Sequence, residues 1–171
     1  MQTHTWYLIF RTMRPRQWTK NLLVFAALIF SRNLFNLSLT RDVTIAVLIF
    51  CLLSGSGYIR NGWIDLQADR AHPKKSTRPL ASGRLRPRTA AAAGLVIVIV
   101  ALAVAFWLNT LFALTALGYF ILQISYSLLL KHVVIIDVLA VAVGFVLRAI
   151  AGAEVISVPI SSWLLICTIL L

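Results

Sequence analysis

The chain has 171 residues, of which 60% are hydrophobic, and its mean hydropathy is +0.90. Soluble domains are usually about 45–50% apolar, so this composition excludes an ordinary soluble domain and indicates a membrane protein. Sixteen Lys and Arg residues against five Asp and Glu give a net charge of +11. Because the cations flank apolar runs, we attribute most of them to anionic lipid headgroups and membrane orientation, and we expect no nucleic-acid partner.

Six apolar segments follow one another along the chain. They lie at about 18–37, 43–60, 88–108, 110–130, 133–152 and 160–171. Arg32 and Asn33 interrupt the first segment, which predicts a weak span or a short, partly interfacial helix. The uncharged run Thr89–Leu130 is long enough for two spans, since a helix crosses a bilayer in roughly 20 residues. We expect a tight turn at WLNT (107–110) between these two spans.

These segments predict an all-α, polytopic membrane helix bundle that forms a single domain over residues 1–171. The bundle has about five complete spans and the start of a sixth. The last segment, ISSWLLICTILL, has about 12 residues and is too short to cross a bilayer. We therefore expect the chain to be the N-terminal portion of a longer protein.

The Lys and Arg residues are distributed unequally between the two sides of the predicted bundle. The N-terminus holds four of them, and the segment 60–88, here called the motif loop, holds eight. Lys131 belongs to the same side, whereas the opposite side carries Arg32 and Arg41. The positive-inside rule then predicts a multi-pass protein of the cell (inner) membrane whose N-terminus and motif loop are cytoplasmic.

The motif loop begins with NGWIDLQADRAHPKKSTRP (61–79), in which Asn61, Asp65 and Asp69 recur every four residues. If the second span continues as a helix, these side chains lie on one face. Carboxylate and carboxamide oxygens suit Mg²⁺, which is usually held by one or two carboxylates together with substrate phosphates. We expect Pro73 to end the helix, and His72 to be a hydrogen-bonding loop residue rather than a metal ligand.

The cations that follow, Lys74, Lys75, Arg78 and Arg84, lie on a loop that could fold back over a phosphate-bearing ligand. The alternative is that they are markers of membrane orientation. Lys20, in RPRQWTKN (14–21), has the same two interpretations, a phosphate contact or an anchor at the membrane interface.

A second group of polar residues lies in the segment 126–154. Asp137 and Arg148 are three helical turns apart and share a face with Gly144. Charges within the membrane normally face a partner or a wet cavity, so each predicts a partner such as a cavity ligand. The alternative places Asp137 near one interface and lets Arg148 extend to the other. Lys131 is expected at the cytoplasmic end, level with the acidic face.

The motifs RPRQWTKN, NGWIDLQADRAHPKKSTRPLASG and YSLLLKHVVIIDVLAVAVGFVLRAIAGA, in this order, resemble the UbiA-type membrane prenyltransferase superfamily. Within it, the His72–Pro73 and Arg78–Pro79 pairs are most similar to the decaprenyl-phosphate phosphoribosyltransferases, which are 5-phosphoribose synthases. The resemblance implies about nine helices around a cavity that opens to the cytoplasm and to lipid. It also implies the Mg²⁺-dependent transfer of 5-phosphoribose from phosphoribosyl pyrophosphate to a polyprenyl (decaprenyl) phosphate.

The resemblance assigns roles to several residues of this chain. It implies that Asn61, Asp65 and Asp69 form the catalytic and metal-binding motif. It further implies substrate-binding roles at the positions Arg70, Lys74, Arg78, Lys131 and Asp137, to which the residue patterns add Lys20 and Arg148. The family pattern begins Asn-Asp, whereas Gly62 stands here in the second position, and the later helices are missing. Both differences predict impaired activity.

Two alternatives stay open. One is a UbiA-type prenyltransferase of an aromatic acceptor, in which the same acidic face binds a prenyl diphosphate. The other is a membrane scaffold or transporter fragment without catalysis, in which the motif loop sets orientation and binds anionic lipid. The sequence leaves the prenyl length, the acceptor and the oligomeric state open.

Overall fold

The computed structural model describes residues 4–128 and 134–160, together with 162, 165, 166 and 168. The regular secondary structure of the described residues consists of helices, as the sequence predicts. The helices are α1 (Thr5–Thr12), α2 (Ala26–Phe30), α3 (Leu37–Ile64), α4 (Leu66–Ala71), α5 (Pro87–Leu108), α6 (Thr110–Leu128) and α7 (Val134–Val155), and a 3₁₀ helix (Pro15–Phe25) joins α1 to α2.

Four of these helices are long and apolar enough to cross a membrane, namely α3, α5, α6 and α7. Pro87 begins α5, where its missing N–H costs no hydrogen bond. Asn109 alone separates α5 from α6, and its side chain accepts a hydrogen bond from the Phe112 N–H (3.1 Å). This confirms the predicted turn at 107–110.

The first apolar segment is not a continuous span. The 3₁₀ helix and α2 together occupy residues 15–30, and Arg32 then adopts a left-handed conformation (φ 60°) that turns the chain toward α3. Lys20 and the buried Asn21 fall within the 3₁₀ helix. The final segment, 160–171, lies mostly outside the described residues.

One hydrophobic core joins the spanning helices to the 3₁₀ helix and α2. At its centre Phe50 of α3 packs against Phe112 and Tyr119 of α6, with ring centroids 6.1 and 4.9 Å apart. By contrast α5 turns side chains such as Leu95 and Ile99 outward, exposed by 63% and 58%. An exposed apolar surface of this kind fits contact with lipid.

A second, smaller core fixes the motif loop to the end of the bundle. Leu80 and Leu85 of the loop are buried against Leu8 and Met13 of the N-terminal segment and Ile59 of α3. The N-terminus and the motif loop therefore lie at one end of the bundle, as the distribution of cations predicts. That this end faces the cytoplasm remains a prediction.

Candidate functional site

The acidic motif follows α3 as the sequence predicts, with one local break. The Asp65 N–H donates to the Asn61 carbonyl (2.9 Å) and the Asp69 N–H donates to the Asp65 carbonyl (2.8 Å). This helical pattern of hydrogen bonds runs through the motif although Asp65 itself (φ −85°, ψ 11°) separates α3 from α4. The three residues therefore follow one another at about one-turn intervals.

Each side chain of the motif has a different environment. Asp69 is buried (3% exposed), and its Oδ2 is 2.5 Å from Arg78 Nη1. Asn61 Oδ1 accepts a hydrogen bond from the Ser127 hydroxyl of α6 (2.6 Å). Asp65 is half-buried between the two.

A small pocket surrounds the Asp69–Arg78 pair, and we call it the acidic pocket. It is lined by Arg11, Thr12, Arg14, Tyr58, Gly62, Asp69, Arg78, Pro79 and Leu80. Its volume is about 50 Å³. Two N-terminal arginines thus face a predicted metal-binding carboxylate, a juxtaposition that spacing along the chain does not reveal.

Gly62 lies in the wall of the acidic pocket, at the position where the resembling family has Asp. A Cβ atom at Gly62 would lie 3.1 Å from Leu80 Cδ1. A third carboxylate at this position would therefore face the pocket and would require a small shift of the Leu80 side chain.

A larger cavity of about 260 Å³ lies inside the bundle, between the 3₁₀ helix, α3, α6 and α7, and we call it the central cavity. Its polar lining combines Lys20 and Arg148 with Gln17, Gln123, Ser54 and the tyrosines Tyr58, Tyr119 and Tyr126. The apolar wall includes Leu122, Val141 and Phe145. Two cations that are far apart in sequence thus share one cavity.

Arg148 does not extend to the membrane interface, so that part of the alternative is wrong. Its side chain is 8% exposed, and its Nε, Nη1 and Nη2 atoms donate to Asn21 Oδ1 (2.9 Å), the Gly144 carbonyl (2.7 Å) and the Tyr119 hydroxyl (2.8 Å). The guanidinium also lies 4.7 Å from the centroid of the Tyr119 ring. These acceptors are neutral, so the Arg148 charge remains available to an anion in the central cavity.

We predict that Asn21→Ala lowers the free energy of unfolding by about 2–3 kcal/mol, because it removes an acceptor from a buried, charged donor. Asn21 is 1% exposed and also donates to Ser54 Oγ (3.1 Å). Thermal unfolding in detergent measures the effect. Asn33→Ala, which loses a hydrogen bond to Ser31 within the same turn (3.0 Å), is the control and is expected to change stability by less than about 1 kcal/mol. Equal effects of the two variants would contradict the role given to Asn21.

A third pocket opens beside the N-terminal segment, and we call it the basic mouth. It is lined by Tyr7, Arg11, Arg14, Pro15, Arg16 and Gln17. Arg11 and Arg14 also line the acidic pocket, Gln17 also lines the central cavity, and Tyr58 lies between those two sites. The three spaces therefore adjoin one another.

Arg14 lies where the basic mouth adjoins the acidic pocket, and its backbone is strained. Its φ of 52° places a non-glycine residue in the left-handed region, which costs of order 1–2 kcal/mol. The turn brings its guanidinium 5.2 Å from the centroid of the Tyr58 ring, at the boundary of the acidic pocket and the central cavity. Strain of this kind is concentrated at functional sites.

The remaining residues predicted to bind substrate, and His72, differ in their positions in the structure. Asp137 is half-buried on α7, its Oδ1 has no hydrogen-bond partner among the described residues, and it interacts with Tyr126 of the central cavity. Arg70 and Lys74 are exposed and line none of the three pockets. His72 Nδ1 accepts a hydrogen bond from the Lys74 N–H (3.2 Å), as expected of a loop residue. Lys131 lies outside the described residues.

The oxygen atoms present fit a magnesium site that is completed by its ligand. Among the described residues, no three His, Cys, Asp or Glu side chains are placed to hold a metal ion together. Asp65 and Asp69 provide two carboxylates, and Asn61 provides a carboxamide oxygen that is shared with Ser127. This is a suitable donor set for an ion that takes its other ligands from phosphates and water.

The sequence is similar to curated bacterial enzymes. It is 35% identical over 162 residues to the decaprenyl-phosphate phosphoribosyltransferase of Mycolicibacterium smegmatis, covering 92% of this chain and 51% of that protein. It is 34% identical over 160 residues to the protein of the same name from Corynebacterium glutamicum, covering 91% and 48%. The chain thus spans about half the length of these relatives.

The fold is similar to that of a UbiA homolog from Archaeoglobus fulgidus whose structure was solved bound to DMAPP and Mg²⁺. The TM-score is 0.79 at 24% identity, and the match covers 94% of this chain and 58% of that chain. The family model described as "UbiA prenyltransferase family" matches residues 21–171. The family model and the curated relatives agree with the arrangement of the helices, and the chain belongs to the UbiA prenyltransferase family.

Proposed function

We propose that this chain provides part of a Mg²⁺-dependent membrane transferase that moves 5-phosphoribose from phosphoribosyl pyrophosphate to a polyprenyl phosphate such as decaprenyl phosphate. One observation carries the proposal. A basic mouth, an acidic pocket and a central cavity with two further cations adjoin one another. This arrangement suits two phosphate-bearing substrates that must meet despite their mutual repulsion.

The cations of the basic mouth and the central cavity would offset that repulsion. A favourable contact between unit charges at 4 Å contributes about 4 kcal/mol at an effective dielectric constant of 20, before the cost of desolvation. Arg11, Arg14 and Arg16 would attract the donor, and Lys20 and Arg148 would neutralise a phosphate in the cavity.

Asp65 and Asp69, with the Asn61 oxygen, would hold the magnesium ion. When bound, the ion neutralises charge on the departing pyrophosphate. Arg78 fixes the Asp69 carboxylate at 2.5 Å and lines the same pocket, so it would also meet phosphate oxygens there. Asp137, Arg70, Lys74 and Lys131 are proposed as further substrate contacts.

The chemistry requires no nucleophile from the protein. An oxygen of the acceptor phosphate attacks the anomeric carbon of the ribose, the bond to pyrophosphate breaks, and pyrophosphate leaves with the electron pair. A general base is unnecessary because the acceptor oxygen is already ionised. Leu122, Val141 and Phe145 would limit water in the cavity, which protects the sugar from hydrolysis.

The names of the relatives support the phosphoribosyl form of the reaction. The ligands of the Archaeoglobus fulgidus homolog make a prenyl diphosphate the alternative donor. The chain spans about half the length of its relatives. Ligand binding by this chain therefore tests the proposal more directly than catalytic turnover does.

We expect the purified chain, in nanodiscs, to bind phosphoribosyl pyrophosphate in the presence of Mg²⁺ and to lose that binding in EDTA. Isothermal titration measures both conditions, and labelled phosphoribosyl pyrophosphate in membranes with decaprenyl phosphate tests transfer into the lipid phase. Mg²⁺-dependent binding of a prenyl diphosphate, with none of phosphoribosyl pyrophosphate, would favour prenyl transfer to an aromatic acceptor. If neither donor bound, a membrane scaffold or transporter fragment would be the better interpretation.

A further inference from the structure

A groove on the outer side of the bundle carries a half-buried cation that the proposed reaction does not use. It lies between α3, α5 and α6, has a volume of about 320 Å³, and we call it the outer groove. Its lining is Ser56, Gly57, Ile59, Arg60, Trp63, Ala91, Gly94, Leu95, Val98 and Phe120. Among the described residues that line the groove, the charged one is Arg60.

The outer groove differs from the central cavity in position and character. The two share none of their lining residues. Trp63 and Leu95, at the rim of the outer groove, are exposed by 53% and 63%. Since exposed apolar side chains of a membrane-spanning bundle face lipid, the groove opens to the bilayer and not to the interior of the bundle.

The Arg60 guanidinium has unsatisfied hydrogen-bond donors. Its Nη2 donates to the Gln123 carbonyl (2.9 Å) and to Asn61 Oδ1 (3.4 Å). Its Nε and Nη1 are buried and have no hydrogen-bond partner among the described residues. Nor does its guanidinium form an ion pair within that part of the chain. Buried donor atoms on a charged group are costly to leave unsatisfied unless an acceptor joins them.

The depth of Arg60 matches that of a lipid headgroup. Arg60 is the first residue of the motif loop, and it lies about one helical turn before the end of α3 at Ile64. From this level the groove extends along α5 from Ala91 to Val98, toward the middle of the membrane. The groove is charged at its end beside the motif loop and apolar along the rest of its length. A phospholipid in one leaflet has the same division between its headgroup and its acyl chains.

We propose that the outer groove binds an anionic phospholipid, with its phosphate beside the Arg60 guanidinium and an acyl chain along Ile59, Leu95, Val98 and Phe120. Basic positions between membrane helices are known to recognise anionic headgroups. A hydrogen bond from a charged guanidinium to a phosphate oxygen is shorter and stronger than one between neutral groups. The lipid proposal does not rest on the proposed reaction, although Arg60 also contacts Asn61 of the acidic motif.

The test compares phosphatidylglycerol with phosphatidylcholine on the chain in nanodiscs, by native mass spectrometry and thermal unfolding. We expect phosphatidylglycerol to be retained preferentially and to raise the Tm. Arg60→Gln is expected to reduce that preference about tenfold, and Arg60→Lys to restore part of it. Arg88→Gln is the matched control, because Arg88 is exposed at the same end of the bundle and does not line the groove. An equal loss in Arg88→Gln, or none in Arg60→Gln, would overturn the proposal.

A second pair of variants tests the apolar part without altering the charge. Ala91 is exposed and lines the groove, whereas its exposed neighbour Ala92 does not. Ala91→Phe should displace the lipid and abolish the Tm shift, and Ala92→Phe should leave both unchanged. If the two variants behaved alike, or if soluble glycerol phosphate raised the Tm as much as phosphatidylglycerol, no phospholipid would occupy the groove. Retention of decaprenyl phosphate but not phosphatidylglycerol would also overturn the proposal, in favour of a substrate.

Discussion

Asp69→Asn is expected to weaken the Mg²⁺-dependent binding of phosphoribosyl pyrophosphate by about a hundredfold, or about 2.8 kcal/mol. The variant keeps the size of the side chain and removes its charge. Asp69 is buried, and Asp65 is the nearest other acidic residue along the chain. A neutral amide in its place leaves the proposed magnesium site with one carboxylate. Titration of the ligand at fixed Mg²⁺ measures the change.

Asp69 also holds Arg78, so a structural effect must be separated from the effect on binding. Asp69→Asn leaves the Arg78 guanidinium, whose side chain is 35% exposed, without its charged partner. The double variant Asp69→Asn/Arg78→Gln removes both charges together. We expect it to unfold at a higher temperature than Asp69→Asn alone and still to bind poorly, because the ion has lost its ligand in both variants.

Asp42→Asn is the matched control at the opposite end of α3. Asp42 pairs with Arg41 at 2.9 Å, and the Arg41 side chain is 70% exposed. A surface pair of this kind contributes about 0–1 kcal/mol to stability, so both binding and Tm should remain near those of the unaltered chain. If Asp69→Asn bound the donor as well as Asp42→Asn does, the acidic motif would not be the magnesium site.

Much of the helical architecture could be predicted from the sequence, because long apolar runs leave few alternatives in a bilayer. The turn at Asn109 and the start of α5 at Pro87 follow from local chemistry and occur where expected. The segment 18–37 was ambiguous because Arg32 and Asn33 interrupt it. Its 3₁₀ conformation depends on packing against α3 and α7, which no local pattern encodes.

The interpretation of the motif loop was incomplete for a similar reason. Leu80 and Leu85 lie close to charged residues in the sequence, and both are buried against α1, α3 and the start of α5. That packing fixes Arg78 on Asp69 and brings Arg11 and Arg14 beside them. The four-residue spacing of Asn61, Asp65 and Asp69 predicted an acidic face, but it could not identify which distant arginines would oppose it.

The hydrogen-bond partners of Arg148 could not be predicted from sequence patterns either. The helical period placed Asp137, Gly144 and Arg148 on one face of α7, and the central cavity lies on that face. The acceptor for the Arg148 Nε, however, is Asn21, which is 127 residues earlier in the chain. A polar residue that follows Lys20 in a basic segment gives no sign that it will be 1% exposed in the bundle.

Gly152→Ala is expected to destabilise the bundle by about 3 kcal/mol or more, at the upper end of the effects of overpacking. A Cβ atom at Gly152 would lie 2.0 Å from the Val24 carbonyl oxygen and 2.9 Å from the Val24 carbonyl carbon. These atoms belong to the backbone of the 3₁₀ helix, so no rotation of a side chain relieves the contact. The 3₁₀ helix must move away from α7, or α7 must bend.

Such a displacement would reach the central cavity, because the same 3₁₀ helix carries Lys20 and Asn21. Asn21 would separate from the Arg148 Nε, and the two cations of the cavity would lose their spacing. We therefore expect Gly152→Ala to lower both the Tm in detergent and the affinity for a phosphate-bearing ligand. Gly118→Ala is the control, since a Cβ atom there meets nothing within 4 Å and alanine favours a helix by about 1 kcal/mol. A Tm for Gly152→Ala equal to that of Gly118→Ala would show that α7 and the 3₁₀ helix do not pack at the distance on which the central cavity depends.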